Sequence, residues 1–78
     1  MDQDEKELRR AIGKRLRIAR LTAELTQDQL ATAARVSRAL VSLIEHGAAG
    51  VNVYRLRRMA TAAGTSLTAL FGKHDGRP

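Results

Sequence analysis

Cysteine is absent from the 78 residues, which removes both a disulfide framework and a thiolate metal site as ways to staple a small core. A reducing compartment is the natural reading. Two histidines without cysteine do not make a metal site either, and no cofactor is expected. Proline occurs once, at Pro78, and the aromatic residues are Tyr54 and Phe71 alone. That scarcity, beside many Ala, Leu and Arg, argues for helices and against a sheet. It also argues against binding single strands, since few aromatic faces are offered for base stacking. No stretch approaches the ~18 apolar residues of a membrane-spanning helix, and the acidic start MDQDEKE is the opposite of a signal peptide's basic leader. A soluble, cytoplasmic protein with no membrane partner is expected.

What is present is positive charge, unevenly placed. The net charge is +6, but residues 9 to 58 hold eleven Lys or Arg against Glu24, Asp28 and Glu45, a net of +8. Four of the five remaining acids gather at Asp2, Asp4, Glu5 and Glu7. Such a field draws polyanions, of which nucleic acid is the commonest in a cytoplasm. A chain this short forms one domain and buries a modest fraction of its surface, so compact helix packing or a partner must hold it together.

The periodicity predicts five helices. Leu8, Ile12, Leu16, Ala19 and Ala23 form one helical stripe, with Arg9, Arg10, Lys14 and Arg17 facing water. The acids ahead of this first helix suit the positive end of its dipole. Thr26 followed by Gln29 has the spacing of a capping box, opening a second helix that turns Leu30, Ala31 and Ala34 inward and stops near Arg35. Ser37 caps a third from Arg38 to His46. Leu40, Val41 and Ile44 share its inner face, and Arg38, Ala39, Ser42, Leu43 and His46 its outer one. Gly47 suits the left-handed closure. A fourth helix follows Asn52, burying Leu56, Met59, Ala60 and Ala63, and Gly64 ends it. Ser66 then caps a short fifth with Leu67, Leu70 and Phe71, and GKHDGRP reads as a frayed tail. The expected division is an extension of the first helix over 1–10, a domain over 11–72 and a flexible tail over 73–78.

Only two or three residues separate the second and third helices, which is the spacing of a helix-turn-helix. The stretch TQDQLATAARVSRALVSLIEHG, Thr26 to Gly47, resembles that motif in the Cro and repressor class of phage and bacterial regulators. Thr26, Gln27, Leu30, Ala31, Val36, Ser37, Val41, Ser42, Ile44, Glu45 and Gly47 fall in register with its pattern. The lead-in GKRLRIAR (Gly13 to Arg20) and the segment MATAAGTSLTALF (Met59 to Phe71) extend the likeness over about residues 12 to 71. Arg35 departs from it, standing where the turn usually carries glycine, and predicts a turn of slightly different shape.

The resemblance implies an all-α, compact five-helix lambda-repressor-like DNA-binding domain, with double-stranded DNA as partner. It places Ser37, Arg38, Ala39, Ser42 and Leu43 toward bases. Arg38 could donate two bonds to a guanine edge, and Ala39 and Leu43 could meet thymine methyls; the blander alternatives are a phosphate contact for Arg38 and an idle or dimer-buried Leu43. Gln27 either holds a phosphate or only caps its helix. Lys14, Arg15, His46, Arg55, Arg57 and Arg58 are candidate phosphate contacts, each individually readable as a solvated cation. Glu45, the lone acid of the motif's second half, is expected to pair with Arg20 and clamp the first helix to the third.

A single motif reads few base pairs, so a homodimer on a pseudo-palindromic operator is expected, its recognition helices ~34 Å apart. Leu67, Leu70 and Phe71 are the candidate dimer surface, with the start of the first helix as the other. No small-molecule ligand is expected, because the chain stops where larger regulators of this class begin a sensor domain. The expected role is a transcriptional regulator associated with the nucleoid, of the phage-regulator or restriction-controller kind. An antitoxin or accessory subunit whose main partner is a protein is the alternative, and a non-specific nucleoid binder or a membrane-surface peptide is a weaker third. Ser42, Glu45 and His46 on one helix lack a pocket and oxyanion donors, so no enzyme is expected.

Overall fold

The computed structural model describes residues 3–72; the tail assigned above to 73–78 lies outside them. The described residues form five α-helices and no strand: α1 (Gln3–Thr22), α2 (Gln27–Ala34), α3 (Arg38–Glu45), α4 (Val53–Ala62) and α5 (Leu67–Phe71). None of these helices is long and apolar enough to cross a membrane.

Each start after α1 is set by a polar side chain that accepts a bond from an otherwise orphaned backbone N–H. Thr26 Oγ1 accepts from Gln29 N at 3.0 Å while Gln29 Oε1 accepts from Thr26 N at 2.9 Å, the reciprocal capping box. Ser37 accepts from Leu40 N, Asn52 from Arg55 N and Ser66 from Ala69 N. The ends are equally regular. Leu25 N donates to Arg20 O, Val36 N to Ala31 O, Ala48 N to Leu43 O and Thr65 N to Ala60 O, the six-to-one bond of the Schellman closure. The left-handed residues of these four closures are Glu24, Arg35, Gly47 and Gly64. Arg35, at φ 60 and ψ 45, thus keeps the backbone geometry that a glycine would adopt, and the turn is not reshaped as its side chain suggested. The conformation costs about 1–2 kcal/mol for a residue with a Cβ.

The core is built from Leu16, Leu30, Val41, Met59 and Leu70, all fully buried, with Ile44, Leu56 and the small Ala31, Ala34, Ala60 and Ala63 around them. α2 packs on α3 and α4, and α1 on α3 and α5. Along α1 the expected stripe holds in the middle and fails at its ends. Leu16 is buried and Ile12 and Ala19 pack against the core, but Leu8 is 43% exposed and Ala23 falls after the helix has ended. Gly13 is buried where α1 crosses α3, and a Cβ there would collide with the carbonyl oxygens of Ile44 and Glu45. Backbone meets backbone at this crossing, so its spacing is set by the missing side chain.

Candidate nucleic-acid interface

α3 is amphipathic in the sense its sequence predicts. Val41 and Ile44 are buried and Leu40 is half-buried, while Arg38, Ala39, Leu43 and His46 are exposed and Ser42 is half-buried. Leu43, 46% exposed, presents an apolar side chain to solvent midway along this face. Ser37 is exposed, with its hydroxyl engaged in capping. Arg38 lies 3.7 Å from the Asp28 carboxylate; both are solvated, so the pair is weak and leaves the guanidinium able to change partners. His46 bonds through Nδ1 to the Ser42 carbonyl at 2.7 Å. Since a carbonyl only accepts, Nδ1 carries the proton. The neutral ring then has an unprotonated Nε2, and only the imidazolium could donate to a phosphate through that atom.

Behind this face, Arg20 and Glu45 join α1 to the end of α3. Arg20 Nε donates to Glu45 Oε2 at 2.6 Å and Nη2 to Oε1 at 3.0 Å, while Nη1 donates to the Leu25 carbonyl at 2.8 Å. The side chains are 10% and 2% exposed. The bond to Glu45 raises the Arg20 pKa above its ordinary value, against burial, which lowers it, and with the attraction of the Glu45 charge. This is a fork-to-fork pair with the third guanidinium nitrogen also bonded, the geometry in which a buried ion pair is worth keeping intact.

Gln27 takes a place that neither reading of it anticipated. Its Nε2 donates to Glu45 Oε1 at 3.1 Å, while Thr26 and Gln29 do the capping. The side-chain amide therefore locks the start of α2 to the end of α3. What remains for an anion there is the backbone, because the first N–H groups of a helix have no intrahelical acceptor.

The six cations proposed as phosphate contacts divide. Arg15 Nη1 donates to the Leu70 carbonyl at 2.9 Å and Arg58 Nε to the Ala34 carbonyl at 2.8 Å. Each guanidinium thus bonds the C-terminal end of a helix; Arg15 is half-buried and Arg58 stays exposed. Lys14, Arg55 and Arg57 are exposed with His46. Arg55 shares a cleft with Arg35, Ser37 and Leu40, at the turn and the first turn of α3, whereas Arg57 lies beyond the turn in a second cleft with Arg35 and Tyr54. Lys14 projects from α1 and lines neither cleft.

The apolar triplet of α5 is divided as well. Leu70 is 1% exposed and belongs to the core, which corrects its assignment to a surface. It lies one turn from its cap, on a helix that packs against α1 and α4. Leu67 is half-buried and Phe71 is 39% exposed. Phe71 and Leu8 line one cleft, so the exposed parts of α5 and of the start of α1 are neighbours.

Residues 11–70, spanning the α2–turn–α3 unit and the helices that hold it, match the family described as a helix-turn-helix domain. The chain belongs to the helix-turn-helix family of DNA-binding proteins. Among solved structures it is similar to the clp gene regulator ClgR from C. glutamicum, with 34% identity, a TM-score of 0.78 and coverage of 82% of each chain. Comparison with curated proteins finds no significant match. In helix-turn-helix terms α3 is the recognition helix. Two residues that the sequence reading left out of the site then acquire positions in it: Gly13, through the crossing that sets α3, and Arg35, in the turn itself. The signal for Arg35 was its presence where the pattern has glycine.

Proposed function

We propose that the protein is a sequence-specific transcriptional regulator that binds double-stranded DNA as a homodimer on a pseudo-palindromic operator. The observation that carries this reading is the outer face of α3. It holds an exposed Arg38, small and apolar Ala39 and Leu43, and Ser42, and its acid, Glu45, is turned inward and neutralised by Arg20. A helix with this face can enter a major groove without carrying a carboxylate toward phosphates. The likeness to a solved gene regulator supports the regulatory role. For the homodimer, the exposed Leu8 and Phe71 supply a shared apolar surface, and Leu67 lies on the same short helix as Phe71.

In this reading Arg38 reads a base, with Ser37, Ala39, Ser42 and Leu43 around it, while Lys14, Arg55, Arg57 and His46 hold phosphates. Selection of bound sequences from a random duplex pool tests it. The protein should enrich an inverted repeat. Arg38→Ala should relax preference at one position of each half-site, losing about 1–3 kcal/mol of discrimination, and Arg57→Ala should weaken all sequences together and flatten the salt dependence. Equal affinity for random DNA and the best selected site would overturn the specific-regulator reading.

A further inference from the structure

The turn between α2 and α3 holds Arg35 in a left-handed conformation that glycine adopts without a steric penalty. Glu24 shows that this fold accepts a side chain in such a conformation elsewhere, so the backbone alone does not explain the arginine. Its surroundings do. Arg35 is exposed and lines two clefts, one with Arg55 and Ser37, the other with Arg57, Arg58 and Tyr54. No acidic residue lines either cleft. Three arginines away from these clefts do meet carboxylates: Arg9 with Glu5, Arg20 with Glu45 and Arg38 with Asp28. Around the turn, Arg35 shares one cleft with Arg55 and the other with Arg57 and Arg58, and no carboxylate lines either cleft, the electrostatics of a surface that draws an anion. The cleft with Arg55 is also walled by Ser37 and Leu40, the cap and first turn of the recognition helix. An anion held there would flank α3 at its N-terminal end.

We propose that Arg35 and Arg55 together grip one backbone phosphate of the duplex beside the recognition helix, with Arg35 retained at the turn for that bond. The inference rests on the DNA-binding reading of α3 and adds a contact to it. The guanidinium fork matches a phosphodiester oxygen pair, and the contact fixes the angle at which α3 enters the groove without specifying a base.

The test is Arg35→Gly in the full chain, because glycine fits the left-handed turn and the variant should fold with a melting temperature at or above the parent's. Binding is measured to the best duplex from the random pool and to an unrelated duplex of equal length, over a series of salt concentrations. Arg35→Gly should weaken both duplexes by the same factor, on the order of threefold to tenfold per bound protomer at 0.1 M salt. The slope of log affinity against log salt should flatten by about 0.9 per protomer. Arg35→Lys should keep most of the slope, and Arg55→Ala should lose as much as Arg35→Gly. Unchanged affinity and slope in Arg35→Gly would overturn the proposal. Failure of the unmodified protein to bind any duplex in a salt-dependent way would instead overturn the function on which it rests.

Discussion

Glu45 shows how one residue of the motif can serve recognition without touching DNA. Its carboxylate accepts from Arg20 of α1 and from Gln27 of α2, so three helices meet at one side chain and the pose of α3 is fixed from behind. Removing it would strand a nearly buried guanidinium. Glu45→Ala should therefore cost about 3–5 kcal/mol, a large share of the stability of a small domain, read as a fall in the urea midpoint of unfolding. A melt like the parent's would remove the clamp from the account. Replacing both partners with apolar residues, Arg20→Met with Glu45→Leu, should recover part of the loss, since no unpaired charge is then buried. The Arg20–Glu45 pairing was legible through the family resemblance, which sets an arginine of the first helix against this glutamate. Gln27 was not: nothing in its spacing to Glu45 distinguishes an amide that bonds a carboxylate from one that faces an anion.

At the scale of elements, helix starts and stops follow from local chemistry. Thr26, Ser37, Asn52 and Ser66 each cap through their own side chain to a backbone group three residues on, and a bond of that reach depends only on sequence. The angle at which helices cross does not. The approach of α1 to α3 is set at Gly13 by carbonyls of residues more than thirty positions later, and it carries α3 to its place. Gly13→Ala should stabilise an isolated helix yet destabilise the protein, by about 1–3 kcal/mol net, because the rigid backbone opposite cannot move out of the way as a side chain would. Thermal unfolding followed by circular dichroism checks the sign. An increase in melting temperature would mean that the crossing yields and that helix propensity wins.

The molecule as a whole presents two working surfaces in this reading, the outer face of α3 with its flanking arginines and the apolar patch of Leu8 and Phe71. A dimer built on the second must set two copies of the first about 34 Å apart. Phe71→Asp should give monomers by sedimentation equilibrium with far-ultraviolet dichroism unchanged, and should weaken operator binding more than binding to random DNA. A dimer that persists would move the interface elsewhere. Leu70→Asp is not a test of assembly, because it would bury a carboxylate in the core and unfold the chain.

The sequence by itself determined the all-helical class, the five helices and nearly all of their limits, and the inner and outer faces of α3. Capping bonds and a 3.6-residue period are short-range, and their partners are only a few residues apart. The membership in the helix-turn-helix family rests on the same local pattern. Only the tertiary structure decided which basic residues stay exposed. Arg15 and Arg58 look like Arg55 and Arg57 in sequence, yet the guanidiniums of the first pair bond carbonyls at the ends of α5 and α2, and of these two only Arg15 is half-buried. It also moved Leu70 into the core and kept Phe71 half-exposed, because burial of a short amphipathic helix depends on what another helix covers. Arg35 stands between the two cases: its departure from glycine was visible in the chain, but its company with Arg55 at the edge of the recognition helix exists only in the folded molecule, where α4 returns against the turn.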